Sequence, residues 1–380
     1  MRSSWLEIDL DALRFNVEYI RSFMKPETKM LIAVKGNAYG HGAVRCSKLF
    51  EEMGVEYLGV AIPEEGVELR KAGIKLPILI FGYTFNDSYD LLFDYDLVPN
   101  VFTMEQAEEL NALAAEKGKK LRIHVSVDTG LSRLGFSYND KTVENILAVT
   151  KMENLYVEGI FSMFASAYGE NDEYAEMQFD RFMTVCNALQ EKGVNIPIRH
   201  MCDSGGTYRF KEKHLDMVRP GTSVFGQYCL DWSLEKPVMS VKSRLASIRT
   251  IALGTKVGYG CTFTAQRETV VGVVPCGFVD GTSRLASNKG QVLLHGVRCP
   301  IIGKVCMDQM MIDITDVDSP KIGDEIVLCG TQNGVTITQE DAGNVAGTSD
   351  TEYVCRQSRR MPLVYIEGGK VVDYVSYLDC

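Results

Sequence analysis

A chain of 380 residues with 46% hydrophobic and 24% charged side chains has room for two domains, or for one large barrel plus an extra module. Its net charge of −10, with no stripe of Lys and Arg, speaks against a nucleic-acid partner, because phosphate binding needs clustered positive charge. No stretch reaches the roughly 18 apolar residues that span a bilayer, and the opening MRSSWLEIDL has no apolar signal core, so a cytoplasmic chain without a membrane segment is expected. The 11 cysteines form no C-x-x-C pair and the five histidines show no zinc-ligand spacing, so reduced thiols and no metal are expected.

In chain order, short apolar runs alternate with helical patterns. The runs are MLIAV at 30, YLGVAI at 57, PILIFG at 77, LVPNVF at 97, LRIHVSV at 121, VEGIF at 157, IPIRHMC at 196 and MVRPGTSVFG at 217. They are rich in Val, Ile and Leu without clean alternation, as in strands covered on both faces. Between them, TMEQAEELNALAAEKG opens on Thr103 with Gln106 three residues later, a capping-box pattern, and stops at Gly118. DEYAEMQFDRFMTVCNALQEKG repeats the theme and stops at Gly193. Eight strands with helices between them predict an α/β fold, a (β/α)8 TIM-type barrel over residues 1–235. A doubly wound open sheet is the alternative. From 236 to 380 the pattern changes to short β runs between glycine turns, ending in a hairpin about Gly368 and Gly369, which predicts a C-terminal all-β domain.

Chemistry in such a barrel sits at the C-terminal ends of the strands. Lys35 ends the first run, in AVKGNAYGHG. Taken alone it suits a surface turn. At a barrel mouth it is instead a partly desolvated amine able to attack a carbonyl, the position of a Schiff-base lysine. The loops DSGGT at 203 and RPGT at 219 follow runs seven and eight, where barrels bind phosphate with glycine-rich backbone. A lysine and a phosphate cradle in one mouth point to pyridoxal 5′-phosphate (PLP).

The motifs AVKGNAYGHG, VDTGLSRLGF, RPGTSVFG, KVGYGCTF and GKVCMDQMMIDIT resemble, in order and spacing, those of bacterial alanine racemases, over essentially the whole chain. The resemblance implies a PLP-dependent isomerase that interconverts L- and D-alanine by a two-base mechanism, built as a barrel plus a β domain. It implies that Lys35 holds PLP, that Tyr39, Ser204, Gly221 and Thr222 contact its phosphate, and that Arg219 faces the pyridine nitrogen. Arg133 and the backbone N–H of Met307 would bind the substrate carboxylate. Tyr259 would be the second base, supplied by the other subunit of a homodimer. A free phenol loses its proton only near pH 10, so a tyrosine base needs positive charge beside it.

Five positions depart from the family pattern. Met163 replaces a histidine, Ser126 a lysine that is often carbamylated, and Arg359 a tyrosine; GFVDGT, with Phe278 and Thr282, replaces GYADGY. A pocket reshaped there keeps a racemase of serine, or of a wider set of amino acids, as an alternative. A decarboxylase of the same architecture would favour a carboxylate against the ring nitrogen, where this chain has Arg219. A non-enzymatic PLP carrier would lack the β domain, and a PLP-free phosphate-binding barrel is the remaining reading.

Overall fold

The computed structural model describes residues 2–169, 171–227 and 234–378. The chain divides into two compact units. One comprises Val17–Ala38 and Gly42–Val224; the other comprises Met1–Asn16, Tyr39–His41 and Phe225–Cys380.

The first unit is a closed barrel of eight parallel strands. They are Lys29–Ala33, Tyr57–Val60, Ile78–Ile80, Val98–Val101, Leu121–Asp128, Leu155–Phe161, Ile198–His200 and Met217–Val218. Each pairs with the next, and the eighth returns to the first with Met217 opposite Lys29 and Val218 opposite Met30. These are the eight apolar runs of the sequence. Their lack of alternation has the anticipated cause: one face fills the barrel with Leu31, Tyr57, Leu79, Val98, Ile198 and Met217, and the other packs under the helices. Each fully buried aliphatic side chain contributes about 1.5–3 kcal/mol by leaving water. The helix Met104–Glu116 begins where its cap predicts, with the Gln106 N–H donating to Thr103 Oγ1 at 3.1 Å. The helix Glu173–Glu191 follows the sixth strand.

The second unit is β-rich and centres on an eleven-stranded sheet. Its least anticipated member is Trp5–Asp9. This strand lies between Met239–Arg244, antiparallel, and Leu363–Glu367, parallel. Residues 1–16 therefore fold with the C-terminal unit rather than with the barrel. The barrel is closed and offers no edge, whereas the C-terminal sheet buries Trp5, Leu6 and Ile8. The terminal hairpin joins Leu363–Glu367 to Lys370–Val375 through Gly368 and Gly369, both at positive φ, as a two-residue turn between right-twisted strands requires. Two helices interrupt the β pattern expected here, Gln339–Ala346, with a Thr338/Asp341 capping box, and Asp350–Cys355, capped by Ser349.

The barrel unit holds three histidines whose pKa burial pushes down: His124, His200 and His214. Folding favours their neutral forms. Their contribution is complete above the ordinary histidine value near pH 6.5 and is lost as the pH falls below it. The loss reaches about 1.4 kcal/mol per pH unit for each group while the folded form stays neutral. The urea midpoint is expected to be lower at about pH 5.5 than at about pH 7.5. An unchanged midpoint would mean that these rings are not held neutral.

Candidate active site

The first strand delivers Lys35 to the barrel mouth. Beside it, the Ala33 N–H donates to Pro220 O at 3.1 Å and the Val34 N–H to Gly59 O at 2.8 Å. Lys35 thus leaves the mouth next to the 219–222 loop, on neighbouring strand ends. The backbone then turns left-handed: Gly36, Asn37, Ala38 and Tyr39 have φ of 62°, 56°, 53° and 52°. For a residue with a Cβ this costs roughly 1–2 kcal/mol. The turn is held by Asn37, whose carbonyl accepts from the Gly42 N–H at 3.0 Å and whose Oδ1 accepts from the Ala43 N–H at 2.9 Å. Glu65 accepts the Gly36 N–H at 2.6 Å. Strain kept by this many bonds beside a candidate reactive amine is typical of functional loops.

The cradle gathers around Ser204. Its buried Oγ accepts the Gly221 N–H at 2.9 Å and the Ser223 N–H at 3.3 Å, and lies 3.0 Å from Ser223 Oγ and 3.3 Å from Thr222 Oγ1. The Tyr168 hydroxyl also bonds Ser204 and Thr222. Gly205 keeps the approach open, since a Cβ there would sit 3.0 Å from Ala167 O and from the Tyr168 ring. Asp203 caps the following helix by accepting the Gly206 N–H at 2.9 Å. Converging N–H and O–H donors beside a glycine are the chemistry a phosphate monoester requires.

Arg219 is buried at the end of the eighth strand. Nη1 lies 2.6 Å from His200 Nδ1, and Nη2 donates to Ser162 O at 2.7 Å, Met201 O at 3.2 Å and Met163 Sδ at 3.3 Å. Among the described residues no hydrogen bond engages Nε. Burial lowers the guanidinium to about 10, against the raising effect of Asp203 and Cys202, so it remains a cation at neutral pH. A ring nitrogen meeting Nε–H would find a donor that keeps its proton. The lysine, the donor cradle and the uncommitted Nε–H together fit PLP.

The other predicted residues are placed as follows. Arg133 is exposed, in the loop after the fifth strand, where Asp128 Oδ1 accepts the N–H groups of Gly130 and Ser132, each at 3.0 Å. In the β-rich unit, Tyr39 packs its ring 5.4 Å from that of Phe225. Tyr259 is 74% exposed, on a short turn between Gly258 and Gly260. Met307 uses its carbonyl to accept the Val279 N–H at 3.1 Å, and among the described residues no hydrogen bond engages its own N–H.

The departures take definite forms. Met163 sulfur becomes an acceptor for Arg219. Ser126 Oγ is buried with no hydrogen-bond partner among the described residues. Phe278 lies under Arg284, Thr282 contacts Cys276 at 3.4 Å, and Arg359 lies over the Tyr377 ring. Sequence reading missed Tyr168, Ser223 and His200. Ser223 stands next to RPGT and could have been included with it; the other two are brought in by pairings far along the chain.

Residues 8–229 match the family model for the alanine racemase N-terminal domain, and residues 238–365 that for the alanine racemase C-terminal domain. Alanine racemase of Clostridium tetani is 36% identical over 100% of this chain and 99% of its own length. That of Methanococcus maripaludis is 38% identical over 95% of this chain and 98% of its own length. Among solved structures, alanine racemase of Clostridium difficile 630 superposes with a TM-score of 0.95 at 34% identity, covering 100% of this chain and 99% of that one. The Bacillus anthracis alanine racemase crystallised with bound L-Ala-P gives 0.92 at 30% identity, covering 100% and 98%. Full-length relatives at this identity, with both domain models matched in order, make this chain a member of the alanine racemase family and an isomerase.

Proposed function

We propose that the protein interconverts L- and D-alanine with PLP held at Lys35, as a cytoplasmic homodimer in which Tyr259 of a second copy supplies the opposing base. The observation that carries this reading is that the strand leading to Lys35 adjoins the 219–222 loop, through the Ala33 to Pro220 hydrogen bond. Ser204, Thr222, Tyr39 and the Gly221 backbone would hold the phosphate, and Arg219 would face the ring nitrogen. Bound there, the coenzyme would supply the electron sink that lets an α-proton leave an amino acid near neutral pH.

The chain's own residues do the rest. Arg133 and the Met307 N–H bind and orient the substrate carboxylate. Lys35 Nζ moves the α-proton on one face and Tyr259 Oη on the other, the lysine serving the D-enantiomer and the tyrosine the L-enantiomer. Arg219 keeps its proton, so a coenzyme ring facing it would be a weaker electron sink than one facing a carboxylate. The same arginine, together with relatives named for alanine, counts against the decarboxylase reading and against serine as the main substrate. The test is a racemisation screen over L-alanine, L-serine and basic amino acids. Alanine is expected to turn over fastest; a faster serine would overturn the substrate assignment.

A further inference from the structure

Arg219 is one end of a buried polar chain that crosses the barrel interior. Its Nη1 meets His200 Nδ1 at 2.6 Å, and His200 Nε2 meets His124 Nδ1 at 2.9 Å. His124 Nε2 points to Glu158 Oε2 at 3.7 Å, and neither atom has a hydrogen-bond partner among the described residues. Glu158 in turn meets Arg122 at 3.5 Å and bonds the Tyr57 hydroxyl. Burial raises the Glu158 carboxyl, but His124, Arg122 and Tyr57 outweigh it and hold the group below its ordinary value.

The polarity of this chain follows from valence. A guanidinium has only donors, so His200 Nδ1 must accept. The His200 proton is then on Nε2 and is donated to His124 Nδ1. The His124 proton is then also on Nε2, aimed at the carboxylate. Each ring is neutral, and each has one tautomer that fits.

The backbone is shaped around this chain. The fifth and sixth strands slip register at this point: Ile123 faces Val157, but His124 faces Gly159, leaving Glu158 as the extra residue of a bulge. Bulges re-aim side chains. Gly159 is required as well, because a Cβ there would lie 2.4 Å from the His124 ring. Phe161 stacks on His200 with centroids 4.9 Å apart and lies beneath Arg219. An apolar filling would close a barrel core at no such desolvation penalty.

We propose that Glu158, His124 and His200 are positioning residues that fix the orientation and hydrogen-bond polarity of Arg219, so that its Nε–H is offered to the coenzyme ring. The proposal rests on the racemase reading for its effect on turnover, but not for the chain of bonds itself.

The first test is nitrogen NMR of histidine in the full-length protein as purified. It holds five histidines, assignable by single substitutions. His124 and His200 are expected to stay neutral with the proton on Nε2 from about pH 6 to about pH 8, where an ordinary histidine titrates. A proton on Nδ1 of either ring, or its protonation in that range, overturns the proposal whether or not the protein racemises alanine. The second test is Glu158→Gln. It is expected to shift the His124 resonances and to lower kcat about tenfold with KM within about twofold, the usual effect of removing a partner that orients a reacting group. Wild-type turnover in a Glu158→Gln protein with shifted resonances would show that the relay does not govern Arg219.

Discussion

Lys35→Ala is expected to lose racemase activity by about a thousandfold or more, because one substitution removes both the covalent anchor of the coenzyme and one of two proton-transfer groups. Two measurements separate these roles. Borohydride treatment of the wild-type holoenzyme should fix the coenzyme to a peptide containing residue 35, and the variant should give no such peptide. Added methylamine, which can replace a missing amine but not its placement, should restore a small part of the turnover. A coenzyme still reducibly attached elsewhere in the variant would remove Lys35 from its assigned place. The fold should tolerate the change, since Lys35 is only half-buried and the left-handed turn beyond it is held by Asn37 and Glu65.

Tyr259→Phe is expected to keep the coenzyme and its visible absorption while lowering turnover about 10²–10⁴-fold, the usual contribution of one general acid–base group. The two enantiomers have equal free energies, so kcat/KM must fall by the same factor in both directions. The asymmetry appears in solvent exchange. In deuterated water the variant should still exchange the α-proton of D-alanine, through Lys35, and should fail to exchange that of L-alanine. Retained exchange from L-alanine would take Tyr259 out of the mechanism. The ring is exposed in the single chain, so losing its hydroxyl leaves no buried group of its own chain unpaired.

How much was legible in the sequence depends on how locally each feature is encoded. The eight barrel strands could be read because burial on both faces writes an apolar run into each. The cap at Thr103 and the hairpin at Gly368 could be read because four to six residues decide them. Lys35 and the glycine loops stood out only together, because each alone reads as a surface turn and it is their shared place at the ends of runs one, seven and eight that points to one mouth. Trp5–Asp9 could not be assigned to its sheet, because its partners lie in Met239–Arg244 and Leu363–Glu367 and nothing local names them. The helices Gln339–Ala346 and Asp350–Cys355, QEDAGNVA and DTEYVC, are too short to show a helical period of apolar residues. His124 and Glu158 look like ordinary strand residues until the slipped register brings them together, which no spacing along the chain announces.

The position of Trp5–Asp9 has a consequence for synthesis. This strand leaves the ribosome more than 350 residues before its parallel neighbour Leu363–Glu367. At about 5–20 residues per second it waits roughly 20–70 s before that pairing can form. The barrel, encoded in one nearly continuous stretch, can close during that interval. Meanwhile the opening strand carries a tryptophan, a leucine and an isoleucine with an unsatisfied backbone edge. Expression yield should therefore respond to chaperone supply more than to changes on the barrel's outer helices.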